Sequence, residues 1–288
     1  MELVTIDEVR AAASRLEGIA QRTPVEHSRA ISGFVGAEVA LKCENLQRAG
    51  SFKLRGAYNR IANLSDDERA KGVVCASAGN HAQGVALAAA MQGVPATVYM
   101  PVEAALPKVD ATAAYGAEVE LSGANLDETL PTAMEDARHT GRTFVHPFDH
   151  RDIIAGQGTV GLEIAEQVPQ ASTVVVCLGG GGLLSGIAVA LRALRPDVRI
   201  VGVQAASCAP YRSSLEAGRP ITFQSEGPTT IADGIAVKRP GELTLPHVDR
   251  LVDEVVTVTD EQLADAVVLL LERAKLVVEP AGATAVAA

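Results

Sequence analysis

The chain has 288 residues, 48% of them hydrophobic, enough to bury a large core as one big domain or two smaller ones. A net charge of −10 and a pI near 5.1, without any Lys/Arg run, argue against a nucleic-acid surface or a polybasic membrane patch and leave a small molecule as the expected partner. The N-terminus is acidic with no apolar leader core, and nowhere do about 18 apolar residues run together, so a soluble, cytoplasmic protein without membrane contact is expected.

In chain order, SFKLRGAYNRI puts Lys53 at the mouth of a predicted helix, and from there apolar runs of strand length alternate with amphipathic stretches. Strands are predicted over 73–76, 96–100, 117–121, 143–146, 173–178, 199–204 and 251–258. Helices are predicted between them, over 80–92, 107–115, 126–140, 158–167, 183–194 and 261–274. This alternation implies βαβ units in an α/β fold of mostly parallel sheet. The strand runs lack polar alternation, as expected where helices cover both faces. Cys43, Cys75, Cys177 and Cys208 form no CxxC pair and have no His at zinc-finger spacing, so they read as reduced thiols.

Three glycine-rich stretches each follow a predicted strand. In VVVCLGGGGLLSGIAVALRAL, Gly179 to Gly182 lead from a strand into a helix, exposing backbone N–H groups at a helix N-terminus, a ready phosphate site. Neither a Walker loop nor GxGxxG fits, and a plain turn needs only one or two glycines. In VVCASAGNHAQGVALAAA, Ser77, Ala78, Gly79, Asn80 and His81 converge at a helix start and suit a carboxylate, beyond what a simple Ser or Asn cap requires. In HPFDHRDIIAGQGT, His146, Asp149 and His150 are metal-ligand types, but such a loop cluster is more often a hydrogen-bonded turn, and no metal is expected.

Lys53 therefore has company. A helix N-terminus and burial behind Phe52 both disfavour an ammonium and lower its pKa. A neutral amine attacks aldehydes, and a phosphate cradle beside it points to pyridoxal 5'-phosphate as cofactor.

SFKLRGAYNRI, ASAGNHAQGVALA, HPFDHRDIIAGQGT, LGGGGLLSGIA, ADGIAVKRPGE and ERAKLVVEPAGA, in this order and over nearly the whole chain, resemble the serine/threonine dehydratases (threonine ammonia-lyases) of the fold-type II pyridoxal-phosphate enzymes. The resemblance implies two open, twisted, mostly parallel sheets flanked by helices, tryptophan synthase β-like, with residues 72–147 as a small domain and 1–71 plus 148–288 as a discontinuous large one. It implies that Lys53 carries the covalent link to the cofactor, that Phe52 packs near the ring and that Asn80 bonds its hydroxyl. Gly179, Gly180, Gly181, Gly182 and Leu183 would hold the phosphate. The loop of Ser77, Ala78, Gly79, Asn80 and His81 would hold the substrate carboxylate, and Gly234 and Glu279 would line the ring edge.

The implied reaction is α,β-elimination of L-threonine to 2-oxobutanoate and ammonia, with L-serine as a further substrate, in a homo-oligomer. Serine racemases of the same family carry a serine at the position of Ala78, to reprotonate the opposite face, and acidic metal ligands where this chain reads 204–210 without a carboxylate. Racemization, β-replacement and non-catalytic ligand binding remain the alternatives. VVEPAGATAVAA ends inside a predicted helix, so continuation into a further strand is also expected.

Overall fold

The computed structural model describes residues 2–224 and 230–288. A short antiparallel ribbon pairs β1 (Val25–His27) with β2 (Ala40–Lys42), Val25 opposite Lys42. A four-stranded parallel sheet contains β3 (Val73–Ala76), β4 (Ala96–Met100), β5 (Glu118–Leu121) and β6 (Thr143–Phe144) in the spatial order β5-β4-β3-β6. A three-stranded parallel sheet follows, with β7 (Thr173–Cys177), β8 (Arg199–Ala205) and β9 (Glu254–Val258) in that order.

Burial explains which runs became central. All four residues of β3 are buried, and β8 is buried at every position after Arg199. Helices cover both faces of such strands, so alternation disappears, as expected for parallel sheet. β5 differs: Glu118 and Glu120 are exposed on an edge strand, where charge discourages pairing with another chain.

Among the apolar clusters of the described residues, the two largest flank the site. One joins Leu54 and Ile61 to Val73, Cys75, Val98 and Met100, and the other gathers Val176, Leu178, Ile187, Leu191, Ile200 and Tyr211. The helix Lys53–Ala62 lies at the seam, packed on the helices Asn80–Met91 and Arg151–Gln167. Glycine permits this approach: a Cβ on Gly156 would come within 2.6 Å of the Gly56 Cα, and one on Gly84 within 3.0 Å of the Lys53 Cβ.

Several boundaries differ from the sequence expectation. The helix expected at 158 begins at Arg151, capped by His150 Nδ1, which accepts the Asp152 N–H at 3.1 Å; Gly156 and Gly158 hide its apolar stripe. Leu251 ends the helix Thr244–Leu251 rather than opening a strand, and β9 starts at Glu254. The helix expected over 261–274 is α-helical over Asp260–Leu269 and then makes one π-turn, closed by Lys275 at φ 58°. Short helices went unpredicted, although Ile6–Arg15 and Asp66–Lys71 carry capping boxes, Thr5 with Glu8 and Ser65 with Glu68.

Candidate active site

β3 and β7 both end at one cleft, the side on which open α/β sheets place ligands. Lys53 reaches it from the seam helix, whose N-cap, Phe52, offers no side-chain hydrogen bond. Lys53 Nζ donates to the Pro147 carbonyl at 2.9 Å and stands 5.4 Å from the Phe52 ring centroid. Over its length the side chain is half-buried, but the amine itself is enclosed. Burial pulls its pKa down to about 8, with Cys177 and Glu279 nearby opposing the shift.

The loop after β3 supplies a second element. Ser77 Oγ accepts the Gly79 N–H at 3.2 Å, and the helix Asn80–Met91 starts with no side-chain cap. Its first N–H groups therefore stay available to an anion. Asn80 does not cap; its Nδ2 donates to Glu279 Oε1 at 2.6 Å. His81 is buried and donates from Nε2 to the Val145 carbonyl at 2.8 Å, which sets its tautomer. Burial, with Lys53 adding to it, pulls the His81 pKa down to about 3, so the ring is neutral.

The loop after β7 supplies the third. Gly179, Gly180, Gly181 and Gly182 are buried, Leu183 is half-buried, and Gly181 sits at φ 94°. A side chain on Gly180 would strike the Phe148 ring, and one on Gly181 would strike the Tyr211 hydroxyl. Among the described residues, no backbone or side-chain acceptor takes the N–H groups from Gly179 to Leu183, so five donors of residues lining the cleft are without protein partners.

The HPFDH turn forms a wall. His146 Nδ1 accepts the N–H groups of Phe148 at 3.2 Å and Asp149 at 2.7 Å, and burial pulls its pKa down to about 4. The Asp149 carboxylate accepts from the backbone of Glu242, Leu243 and Thr244 at 3.0, 2.9 and 3.1 Å. These groups are spent on the fold, as a hydrogen-bonded turn requires. A Cβ on Gly234 would lie 2.9 Å from the Ala281 Cβ and 3.4 Å from Glu279 Oε1, which brings Gly234 and Glu279 together at the rim.

Every residue expected from the sequence to hold cofactor or substrate lines this cleft, while Asp149 and His150 of the HPFDH turn do not. Sequence reasoning missed the Pro147 carbonyl, Cys177 beside Lys53, and Tyr211 and Thr244 behind the glycines. None carries a local signal, because each reaches the site only through the tertiary fold.

The family model described as pyridoxal-phosphate dependent enzyme matches residues 16–288. This chain belongs to the pyridoxal-phosphate dependent enzymes. An L-threonine ammonia-lyase of Thermotoga maritima is 50% identical over 286 residues, 99% of this chain and 71% of the relative. A catabolic L-threonine dehydratase of Escherichia coli strain K12 is 44% identical over 285 residues, covering 99% of this chain and 86% of the relative. Among solved structures, maize serine racemase superposes with a TM-score of 0.95 at 40% identity, covering 99% of this chain and 86% of the other.

The residues present fit the family's cofactor. An enclosed amine of lowered pKa suits its aldehyde, and a row of unpartnered N–H groups at the start of the helix Gly182–Leu194 suits its phosphate.

Proposed function

We propose that the chain is an L-threonine ammonia-lyase, releasing 2-oxobutanoate and ammonia from L-threonine and accepting L-serine as a second substrate. The observation that carries this reading is Lys53, an enclosed amine of lowered pKa set between an anion-binding glycine loop and a carboxylate-binding loop. Relatives named for this reaction, matching nearly the whole chain, support it.

When bound, the cofactor supplies an electron sink for charge that develops on the substrate α-carbon. The chain's own residues do the rest. The N–H groups from Gly179 to Leu183 receive the phosphate. Ser77, Ala78, Gly79, Asn80 and His81 receive the substrate carboxylate at the uncapped helix start and fix which face of the α-carbon meets Lys53. The Lys53 amine, its pKa lowered to about 8 by burial, takes the α-proton as general base from its unprotonated form, and the Pro147 carbonyl holds that amine in place when it is protonated. His81 and His146 stay uncharged throughout, so they add no competing cation beside Lys53. Phe52, Phe148, Gly234 and Glu279, which line the cleft, would bound the cofactor ring.

The likeness to a serine racemase favours a second reading, and Ala78 argues against it. Racemization needs a proton donor on the face opposite Lys53, and a methyl group donates none. Assay of 2-oxo acid release and of D-serine formation, with L-threonine, L-serine and D-serine as substrates, tests both. Prompt 2-oxobutanoate from L-threonine is expected; D-serine without 2-oxo acid would overturn the assignment.

The same reading carries residues 72–147, which hold all four strands of the larger sheet, as a small domain set against the rest. It also carries a homo-oligomer in the cytoplasm. Among the described residues no helix is long and apolar enough to cross a membrane.

A further inference from the structure

Behind the glycine loop, away from Lys53, lies a polar pair that the chemistry above does not use. Tyr211 and Thr244 are both completely buried, Tyr211 from the helix Pro210–Ala217 and Thr244 from the start of Thr244–Leu251. Both hydroxyls reach one acceptor, the Gly180 carbonyl, Thr244 Oγ1 at 2.8 Å and Tyr211 Oη at 3.0 Å, with 3.0 Å between the hydroxyls. Thr244 Oγ1 also accepts the Gly241 N–H at 3.1 Å, which directs its own hydrogen to Gly180. Asp149 fixes the segment by accepting the N–H groups of residues 242–244. Burial raises the Tyr211 phenol well above its ordinary pKa, so the hydroxyl keeps its hydrogen at any working pH.

A trans peptide holds its C=O and the next N–H on opposite sides, and the described chain has no cis bond. With the Gly180 carbonyl drawn back onto Tyr211 and Thr244, the Gly181 N–H is turned the other way, toward the cleft. Gly181 itself takes φ 94°, and no side chain would fit there against Tyr211 and Thr244. Glycine alone would let this peptide flip freely. We propose that Tyr211 and Thr244 are positioning residues that lock the Gly180–Gly181 peptide so that the Gly181 N–H is presented to the cofactor's phosphate. Their effect falls on the phosphate and not on the aldehyde, which lies with Lys53.

This inference rests on the cofactor assignment, and its test separates the two. The full chain, stripped of cofactor by dialysis, is titrated with pyridoxal phosphate and with pyridoxal, which lacks the phosphate. The unaltered chain binding pyridoxal phosphate no tighter than pyridoxal would overturn the site itself, and the inference with it. Given that preference, Thr244→Val is expected to weaken pyridoxal phosphate binding about tenfold, as for loss of an oriented hydrogen bond to a charged group, and pyridoxal binding less than twofold. Tyr211→Phe acts in the same direction more weakly, since Thr244 remains, and Thr244→Ser restores affinity. General damage to the site would weaken both ligands alike. Equal loss for both, or unchanged phosphate-dependent affinity in Thr244→Val and Tyr211→Phe, would overturn the proposal. Should Thr244→Val fail to fold, Tyr211→Phe against Thr244→Ser decides it by the same ratio.

Discussion

Asn80 and Glu279, separated by 199 residues, meet across the cleft with 2.6 Å between Nδ2 and Oε1. Asn80 begins the helix after β3, and Glu279 caps the helix Pro280–Ala287. Burial raises the Glu279 carboxyl above its ordinary range and the Asn80 hydrogen bond pulls it back, while its outer edge stays open to solvent.

Asn80→Asp would set two carboxylates where a donor and an acceptor now meet. Like charges at that distance hold one proton between them. The variant should therefore lose more kcat/KM than Asn80→Ala, on the order of tenfold beyond it at pH 8. The deficit should shrink as pH falls, because protonating either carboxyl restores the hydrogen bond. The ratio of the two variants between pH 6 and 8.5 is the measurement, and a flat ratio would count against the contact.

Lys53 makes a prediction about stability as well as turnover. Its folded pKa near 8 lies below the ordinary lysine value of 10.5, so between those values the unfolded chain binds more protons than the folded one. Stability of the cofactor-free chain should rise from about pH 8 to 10.5, and the burden should be fully present below pH 8. Lys53→Met abolishes 2-oxo acid release but should stabilise the cofactor-free chain at pH 7, by on the order of 2 kcal/mol once water in the cleft is allowed for. Urea unfolding at pH 7 and pH 10 checks this. A less stable Met variant at pH 7 would show that the amine is not desolvated.

Much of this architecture was readable in the sequence, and the reason is local. β3, β4 and β7 are short apolar runs followed within three residues by glycine or proline, and both binding loops follow their strands directly. Gly179 to Gly182 stood out because no ordinary turn uses four glycines. The start at Arg151 was hidden because Gly156 and Gly158 replace the apolar residues that mark a helix face, their role being helix contact. Tyr211 gave no sign at all: a lone tyrosine in a polar helix shows nothing of a carbonyl 31 residues away. Arg55 carries no local mark that sets it apart from an exposed helix cation, though it is the largest fully buried side chain among the described residues.

The segment after β8 predicts indifference to chelators. Gln204 is buried with both ends of its amide engaged, Nε2 donating to the Leu178 carbonyl at 3.4 Å and Oε1 accepting the Tyr211 N–H at 3.1 Å. No carboxylate stands between it and Pro210, and hard cations bind oxygen anions. Turnover of L-threonine should be unchanged after EDTA treatment. A loss reversed by Mg²⁺ or Ca²⁺ would refute the prediction.

Arg55 shares its helix with Lys53 and anchors that helix from below. It is 1% exposed, yet it bonds Glu44 at 2.8 and 2.9 Å, Glu163 at 2.6 Å, Thr159 at 3.1 Å and the Gln21 carbonyl at 3.1 Å. Lys42 pairs with Glu163 from β2, so two cations face two carboxylates in a nearly closed network. Arg55→Met removes the only cation touching Glu44 there among the described ion pairs and leaves Glu163 with Lys42 alone. Breaking a buried pair from one side costs about 3–5 kcal/mol, because the stranded charge is the expensive part. Arg55→Met combined with Glu44→Gln strands less charge and should recover part of that loss. The coupling, read from a double-mutant cycle of urea midpoints, should be favourable by at least ~1 kcal/mol. Because the same helix carries Lys53, the single variant should also release 2-oxo acid more slowly, by a larger factor than the double variant. Strictly additive stabilities, with equal rates in both variants, would show that Arg55 acts neither on the fold of this seam nor on the placement of Lys53 through its pair with Glu44.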